Sequence, residues 1–539
     1  MTPLVDHLIV VPVLLPLAVG AFLLLFDERR RSLKVALSLA TTFTLLGVAV
    51  GLLMRADAPP FGAGAIGVYR LGNWPAPVGI VLVADRLSAI MLTLTAVLGC
   101  ATLVFALARW HRAGPRFYTL FLMLLAGLNG AFLTGDLFNL FVFFEVMLAA
   151  SYGLVLHGSG TARVKAGLHY IPVNLLASAL FLVGVSLIYG VTGTLNMAEL
   201  ARRIPAVAPE NRMLLEAAAA ILGIAFLVKA GVWPLCFWLP TTYAAACAPV
   251  AAMFAIMSKV GVYVILRLFL LLFGEDAGAS AGFGGNVLFY GGMATVAFGS
   301  IGVLASQSML RLAGYSVLVS SGTVLAAIGT GNSAAISGSL YYMVSSTLAI
   351  SAFFLLIELI ERGRDAGADV LAVTLEIFGD PEEDGLHEEA EIGLAIPAAI
   401  AMLAGAFVGC TLLLAGLPPL SGFIAKFAIL SALINAAGIV PASSWVLIAL
   451  LLLAGLAALI AMTRTGIRVL WVPGEAAIPN VRALEMVPVV ALLVLCIGLT
   501  GFGGDAMRYM EATAQVLYWP QEYAREVLAA SPQLPGAGR

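Results

Sequence analysis

The sequence predicts an all-α polytopic membrane protein of about fourteen transmembrane helices, and three observations carry that prediction. Of its 539 residues 61% are hydrophobic and only 11% are charged, where a soluble domain carries about 25% charge. Mean hydropathy is +1.04. Long apolar runs recur along the chain, among them Leu8–Phe26, Leu33–Met54, Leu87–Ala108, Phe117–Leu133 and Val487–Leu499. Roughly 20 residues span a hydrocarbon core of about 30 Å.

The first run, near 5–26, reads as a span rather than a cleaved signal. No basic residue precedes it, and Asp27-Glu28 follow it without a small-residue cleavage pattern. Further spans are predicted near 33–54, 85–108, 117–134, 136–156, 167–190, 214–239, 249–273, 286–305, 309–329, 338–360, 393–436, 443–463 and 485–502. The segment 393–436 is twice as long as one span needs, and Gly416-Leu417-Pro418-Pro419 interrupts it. It reads either as two helices joined by a tight turn or as one broken helix. Two stretches look water-exposed: an acidic loop over 361–391 (GDPEEDGLHEEAE) and a polar tail over 505–539 with some helical character.

Composition also excludes function classes. The net charge of −2 gives no pull toward nucleic acid. No Gly-rich phosphate loop, HExxH or paired Cys/His pattern occurs, so no nucleotide, redox cofactor or metal is expected. The five cysteines (Cys100, Cys236, Cys247, Cys410, Cys496) lie in apolar runs without CxxC spacing and read as core packers. With the N-terminus outside, 15 lysines and arginines fall in inside loops and 8 in outside ones. The positive-inside rule therefore favours that orientation.

The informative residues are the ionisable ones in mid-span, because a charge at the centre of an inserting helix costs about 2.5–3.5 kcal/mol. Four qualify by depth: Glu145, Lys229, Lys259 and Lys426. A static ion pair explains two of them at most, since three lysines face one glutamate. Buried lysines without fixed partners can exchange protons, so these four are the candidate relay. Arg267 sits near a helix end and can reach the interface with its long side chain. Asp85-Arg86 and Asp136 open their helices, where capping explains a carboxylate as well as function does.

Two lysines lie beside helix breaks. In FLVKAGVWPLCFWLP, Pro234 clashes with the carbonyl of Ala230, next to Lys229. In LPPLSGFIAKF, Pro418 and Pro419 release the carbonyls of Leu414 and Ala415, and Lys426 follows about two turns later. Freed backbone at membrane depth is tolerated where it is buried in protein or lines a hydrated cavity.

Several stretches together resemble one family. GDLFNLFVFFEVMLAASYG (135–153), YGVTGTLNMAEL (189–200), FLVKAGVWPLCFWLP (226–240), LPPLSGFIAKF (417–427) and LGNWPAPVGIVLVADRLSAIML (71–92) are similar to the D-type subunit of the multisubunit Mrp/Pha-type cation/proton antiporters. That family is related to the antiporter-like subunits of respiratory complex I. The resemblance implies fourteen helices with two inverted five-helix repeats, and makes 393–436 one broken helix. It implies a three-helix N-terminal region (1–110), a first repeat (117–273), a second repeat with the acidic loop (286–463), and a last helix and tail (485–539).

Glu145 matches the family's fifth-helix glutamate, Lys229 the lysine of the broken seventh helix, Lys259 that of the eighth and Lys426 that of the broken twelfth. By resemblance, Glu145 pairs with Lys229 and protons pass along the lysines through water. Ser320, Ser345 and Ile350 depart from the pattern, since many relatives have histidine, histidine and lysine there. A relay between Lys259 and Lys426 then rests on the hydroxyls of Ser320, Ser345, Ser346 and Thr347 and on water, and the departures suggest the Pha-like branch, associated with potassium as well as sodium.

The implied function is a proton-translocating subunit of a Na+ or K+/H+ antiporter in a prokaryotic cytoplasmic membrane, with other membrane subunits as partners. A proton-pumping subunit of a redox complex and a structural membrane scaffold are the alternatives.

Overall fold

The computed structural model describes residues 7–57, 66–362, 397–435, 440–468 and 481–530. The acidic loop predicted over 361–391 lies almost wholly outside these. Helices α1 (Val11–Leu23), α2 (Arg31–Ala56) and α3 (Arg86–Ala106) come first, with a short antiparallel hairpin of β1 (Gly67–Arg70) and β2 (Val81–Ala84) before α3. Asp85 opens α3 with a capping box, accepting from the Ser88 N–H at 2.9 Å while Ser88 Oγ accepts from the Asp85 N–H at 2.8 Å. The backbone ends freed at a helix start are satisfied locally in this way.

Next come α4 (Phe117–Leu133), α5 (Leu137–Val155), α6 (Thr161–Thr192), the short α7 (Met197–Arg203), α8 (Pro209–Ala230), the short α9 (Leu239–Ala245) and α10 (Ala248–Phe273). They are followed by α11 (Gly285–Ala305), α12 (Met309–Gly329), α13 (Ser333–Arg362), α14 (Pro397–Ala415), α15 (Ser421–Ile434), α16 (Ala442–Gly466) and α17 (Ala483–Gly501). Helices α18 (Gly503–Tyr518) and α19 (Pro520–Ala529) end the described chain.

Among the described residues, eleven helices are long and apolar enough to cross a membrane. The apolar α1 and α4 are shorter, and α14 with α15 forms one more crossing from two halves, which makes fourteen. The described part of the segment 393–436 is thus one broken helix. The fourth crossing is broken in each five-helix set: α8 and α9 in the set from α4 to α10, α14 and α15 in the set from α11 to α16. Five is odd, so the second repeat enters the membrane from the side opposite to the first. This is the inverted-repeat architecture in which helix breaks carry the working residues.

The core lies along α10 and α13, each with 94% of its most apolar stretch buried. Close crossings place the lysine-bearing helices side by side. A Cβ on Gly261 would lie 2.7 Å from the Ala230 nitrogen and 3.1 Å from the Lys229 carbonyl carbon, so glycine lets α10 press against the end of α8. Small residues at crossings are how membrane helices gain packing where apolar burial gives no drive.

The predicted span over 167–190 extends to 161–192, because its first turn finds partners at the helix end. Arg163 stacks 5.1 Å from the Trp110 ring centroid and donates to the Ala245 carbonyl at 3.1 Å. The described part of the polar tail folds as α18 and α19, which lie back over the bundle. Arg70 donates to the Ala530 carbonyl, and Arg267 faces the Tyr523 ring at 5.4 Å.

Candidate functional site

Each break is built by a glycine in the left-handed region followed by proline. Gly231 has φ +71° and ends α8 in a Schellman-type closure. Its N–H reaches the Val228 carbonyl at 3.1 Å, and the Val232 N–H reaches that of Leu227 at 3.0 Å. The Trp233 N–H donates to Thr295 Oγ1 of α11 at 2.9 Å, which ties this break to the second repeat. Gly416 has φ +74°, and its N–H and that of Leu417 both reach the Leu412 carbonyl, at 3.0 and 2.9 Å.

Lys229 is buried in the last turn of α8. Its Nζ donates to Oδ1 of Asn174 at 3.1 Å and to the Asn174 carbonyl at 3.3 Å. The ring of Phe144 lies 5.9 Å from the ammonium, within cation–π range. Glu145, beside Phe144 on α5, is half-buried. Its Oε1 is buried and has no hydrogen-bond partner among the described residues. The contact implied between Glu145 and Lys229 is therefore not a direct one, and Asn174 of α6 holds the ammonium instead. Asn174 itself donates to the Tyr170 carbonyl at 2.8 Å, which fixes its amide with the oxygen toward Lys229.

Lys259 is fully buried on α10. Its Nζ donates to Ser320 Oγ at 2.8 Å and Ser321 Oγ at 3.1 Å, both on α12. Ser320 Oγ lies 2.7 Å from Ser346 Oγ of α13. Next to it along α13, Ser345 Oγ lies 2.7 Å from Ser421 Oγ in the first turn of α15. Thr347, grouped with these hydroxyls on the sequence, stands apart: it donates to the Met343 carbonyl of its own helix at 2.6 Å.

Lys426 turns back across the second break. Its Nζ donates to the Ala415 carbonyl at 2.8 Å and the Leu414 carbonyl at 3.3 Å. These are the two carbonyls that Pro418 and Pro419 release. Gly416 and Gly455 make room for the side chain: a Cβ on Gly416 would lie 2.6 Å from Lys426 Cδ, and one on Gly455 2.7 Å from the Ala415 oxygen.

The other candidates fall outside this track. Asp136 Oδ1 accepts from the N–H groups of Phe138 and Asn139, both at 2.9 Å, and caps α5. Arg267 does not reach the interface; it donates to both oxygens of Asp85 at 2.5 and 2.8 Å and to the Tyr263 hydroxyl at 3.3 Å. That fully bonded buried pair ties α10 to α3.

The sequence reading missed Asn174, Ser321 and Ser421. Asn174 had a signal, as an uncharged polar residue in mid-span two positions after Pro172. The two serines had none, since the chain is rich in serines that bond only to their own helices.

Residues 134–456 match the family model described as NADH:quinone oxidoreductase/Mrp antiporter, TM. A protein of Rhizobium meliloti, named as the D-type subunit of a probable K(+)/H(+) antiporter, is 61% identical over 98% of this chain and 99% of its own length. This chain belongs to the family of D-type subunits of Mrp antiporters. A second such relative, named as the D-type subunit of a Na(+)/H(+) antiporter in Alkalihalophilus pseudofirmus, is 35% identical over 97% of this chain and 99% of its own. Among solved structures, a chain of the Mrp complex from Dietzia sp. DQ12-45-1b aligns with a TM-score of 0.80 and 27% identity, covering 98% of this chain and all of that one. A chain of respiratory complex I from Thermus thermophilus shares the fold, with a TM-score of 0.73 at 22% identity over 95% of this chain and 99% of that one.

Proposed function

We propose that this chain is the proton-translocating subunit of a monovalent cation/proton antiporter assembled from several membrane subunits, a transporter component rather than an enzyme. The observation that carries the reading is the placement of three buried lysines, two of them at the helix breaks of the inverted repeats, each on polar partners. A lysine exchanges protons where a guanidinium does not. Lys229 with Glu145 and Asn174 forms the first station, Lys259 the middle one and Lys426 the last. Residues 117–273 and 286–463 are the two functional repeats, 1–110 the N-terminal region and 485–539 the last helix and tail. The N-terminus lies outside, as the loop arginines favour.

Potassium is the first cation to test, because the relative at 61% identity carries it in its name. The driving force is the proton motive force, in which one elementary charge crossing 100 mV is worth about 2.3 kcal/mol.

Everted membrane vesicles containing the whole complex test the reading through cation-induced collapse of a proton gradient. Lys229→Ala is expected to abolish it while the protein still inserts and assembles. Lys229→Arg is expected to fail too, because it keeps the charge but holds its proton. Normal antiport in either variant would remove Lys229 from the relay. The family model spans NADH:quinone oxidoreductase as well as Mrp antiporter subunits; co-purifying flavin or iron–sulfur subunits would move the chain to a redox complex.

A further inference from the structure

We propose that the cleft between α3, α13 and α17 is a binding site for one phospholipid with a zwitterionic, ethanolamine-type headgroup. One acyl chain fills the cleft, and the headgroup lies on Asp57, Asp505 and Arg508 at its mouth. The site goes beyond the relay reading and does not depend on it.

The cleft holds about 570 Å³, within the roughly 300–1,000 Å³ of small-molecule sites. Its walls are aliphatic: Leu94 and Val97 of α3, Leu495 and Leu499 of α17, and Val344 and Leu348 of α13 at the bottom. The Thr93 hydroxyl in the wall is already bonded, donating to the Ala89 carbonyl at 2.8 Å. Charged side chains gather at the mouth, where α2 ends, α3 begins and α18 follows α17.

Depth selects the occupant. As the third and eleventh crossings, α3 and α13 start on the same membrane face. Val97 is eleven residues from the start of α3 and Val344 eleven from the start of α13, which is about 16 Å at 1.5 Å per residue. The cleft thus runs from one face to the middle of a core of about 30 Å, the depth of a single leaflet. A partner subunit's transmembrane helix needs a groove through the full thickness, whereas an acyl chain needs one leaflet.

Charge selects the headgroup. Asp505 and Arg508 are largely exposed and stand 3.5 Å apart. Exposed pairs of this kind contribute little, so both side chains are able to turn to a ligand. Asp57 is half-exposed, 3.9 Å from the buried Arg86. The Arg508 guanidinium presents a fork suited to a phosphate, and the two carboxylates suit an ammonium. A headgroup with negative charge alone would meet two carboxylates beside one exposed guanidinium.

The test uses the whole complex, reconstituted in vesicles with phosphatidylethanolamine that carries a photoreactive diazirine near the end of one acyl chain. Labelled peptides are mapped by mass spectrometry, and assembly is checked on native gels. Label is expected on the turn of α13 that holds Val344 and Leu348, deep in one of the two most buried crossings. Gly498 of α17 lines the cleft, and a Cβ there meets nothing within 4 Å. Gly498→Leu therefore fills the cleft from its open side. It is expected to lower the α13 label about tenfold, the loss that about 1.4 kcal/mol of binding free energy gives. Arg508→Glu changes only the exposed mouth and is expected to lower the label severalfold. Phosphatidylglycerol with the same diazirine chain is expected to label α13 severalfold less than the ethanolamine lipid. No label on α13, or a label unchanged by Gly498→Leu, would overturn the site, and equal label from the two lipids would overturn its headgroup. A photoreactive residue placed at Leu495 that cross-links a neighbouring subunit instead of lipid would overturn it as well.

Discussion

The two helix breaks use the same parts, a left-handed glycine, a proline and a lysine, but they use the lysine differently. At the first break the closure of α8 is made by backbone, with Gly231 and Val232 satisfying the carbonyls of Val228 and Leu227. Lys229 takes no part in it and lies on Asn174 of a neighbouring helix. At the second break the carbonyls of Leu414 and Ala415 are closed by the Lys426 ammonium itself. One lysine is thus free of its own break, while the other is a structural piece of it. A buried carbonyl without a donor costs about 1–3 kcal/mol. The charge of Lys426 therefore offsets part of its own desolvation by capping two of them. The lesson is that two breaks built of the same parts can place the lysine on opposite sides, before Gly231 in one and after Gly416 in the other, and so give it different duties.

The largest effect expected from this asymmetry is on Lys426. Lys426→Met keeps the stem volume but leaves both carbonyls without a donor, so it should destabilise the protein by about 1–3 kcal/mol for each carbonyl, as well as stop antiport. Lys229→Met strands Oδ1 of Asn174, while the Asn174 carbonyl stays within α6, and should cost about 1–3 kcal/mol, half of what Lys426→Met costs with two freed carbonyls, with antiport equally lost. Thermal unfolding of the two purified complexes compares them, and equal melting temperatures would erase the distinction.

Gly455→Ala probes the second break from α16. Its new Cβ would stand 2.7 Å from the Ala415 oxygen and 3.4 Å from Lys426 Nζ. Overpacking of this kind costs about 1–3 kcal/mol, and the lysine must move, so antiport should fall severalfold. Gly223→Ala on α8 meets nothing within 4 Å and should be silent in both assays. A silent Gly455→Ala would mean that the second break yields more easily than its packing indicates.

Asn174→Leu sharpens the picture of the first break. It removes the side-chain acceptor of the buried Lys229 ammonium without touching either break, so transport should fall together with a stability loss of about 1–3 kcal/mol. Asn174→Asp should also slow transport, because a carboxylate in direct contact would hold the Lys229 proton. Unchanged flux in both variants would return the holding role to Glu145.

The smallest effect is expected from Glu145→Gln on stability. The Glu145 Oε1 accepts no hydrogen bond from the described residues, so its replacement strands no donor among them. A stability change of less than about 0.5 kcal/mol is expected, and a large loss would show a stronger link between Glu145 and the first break than its geometry carries.

Much of this was open to reading along the chain. Spans are legible because hydrocarbon demands about 20 apolar residues, a constraint each segment meets alone. Glu145, Lys229, Lys259 and Lys426 are legible because charge at that depth is expensive. Pro418 and Pro419 are legible as the release of the carbonyls of Leu414 and Ala415, because the proline clash acts four residues back on the same chain. The segment 393–436 stayed ambiguous between two helices and one broken helix, since length cannot say whether a chain turns back.

Only the tertiary structure decided who bonds to whom. That Asn174 and not Glu145 meets the Lys229 ammonium depends on how α5, α6 and α8 rotate against one another. Rotations of that kind are set by close crossings such as Gly261 on Ala230. Likewise a serine on α12 looks the same along the chain whether it bonds its own helix, as Ser316 does, or reaches α13, as Ser320 does. The physical reason is range: the hydrophobic and proline constraints act within one segment, whereas a hydrogen bond between helices is fixed only when several segments pack at once.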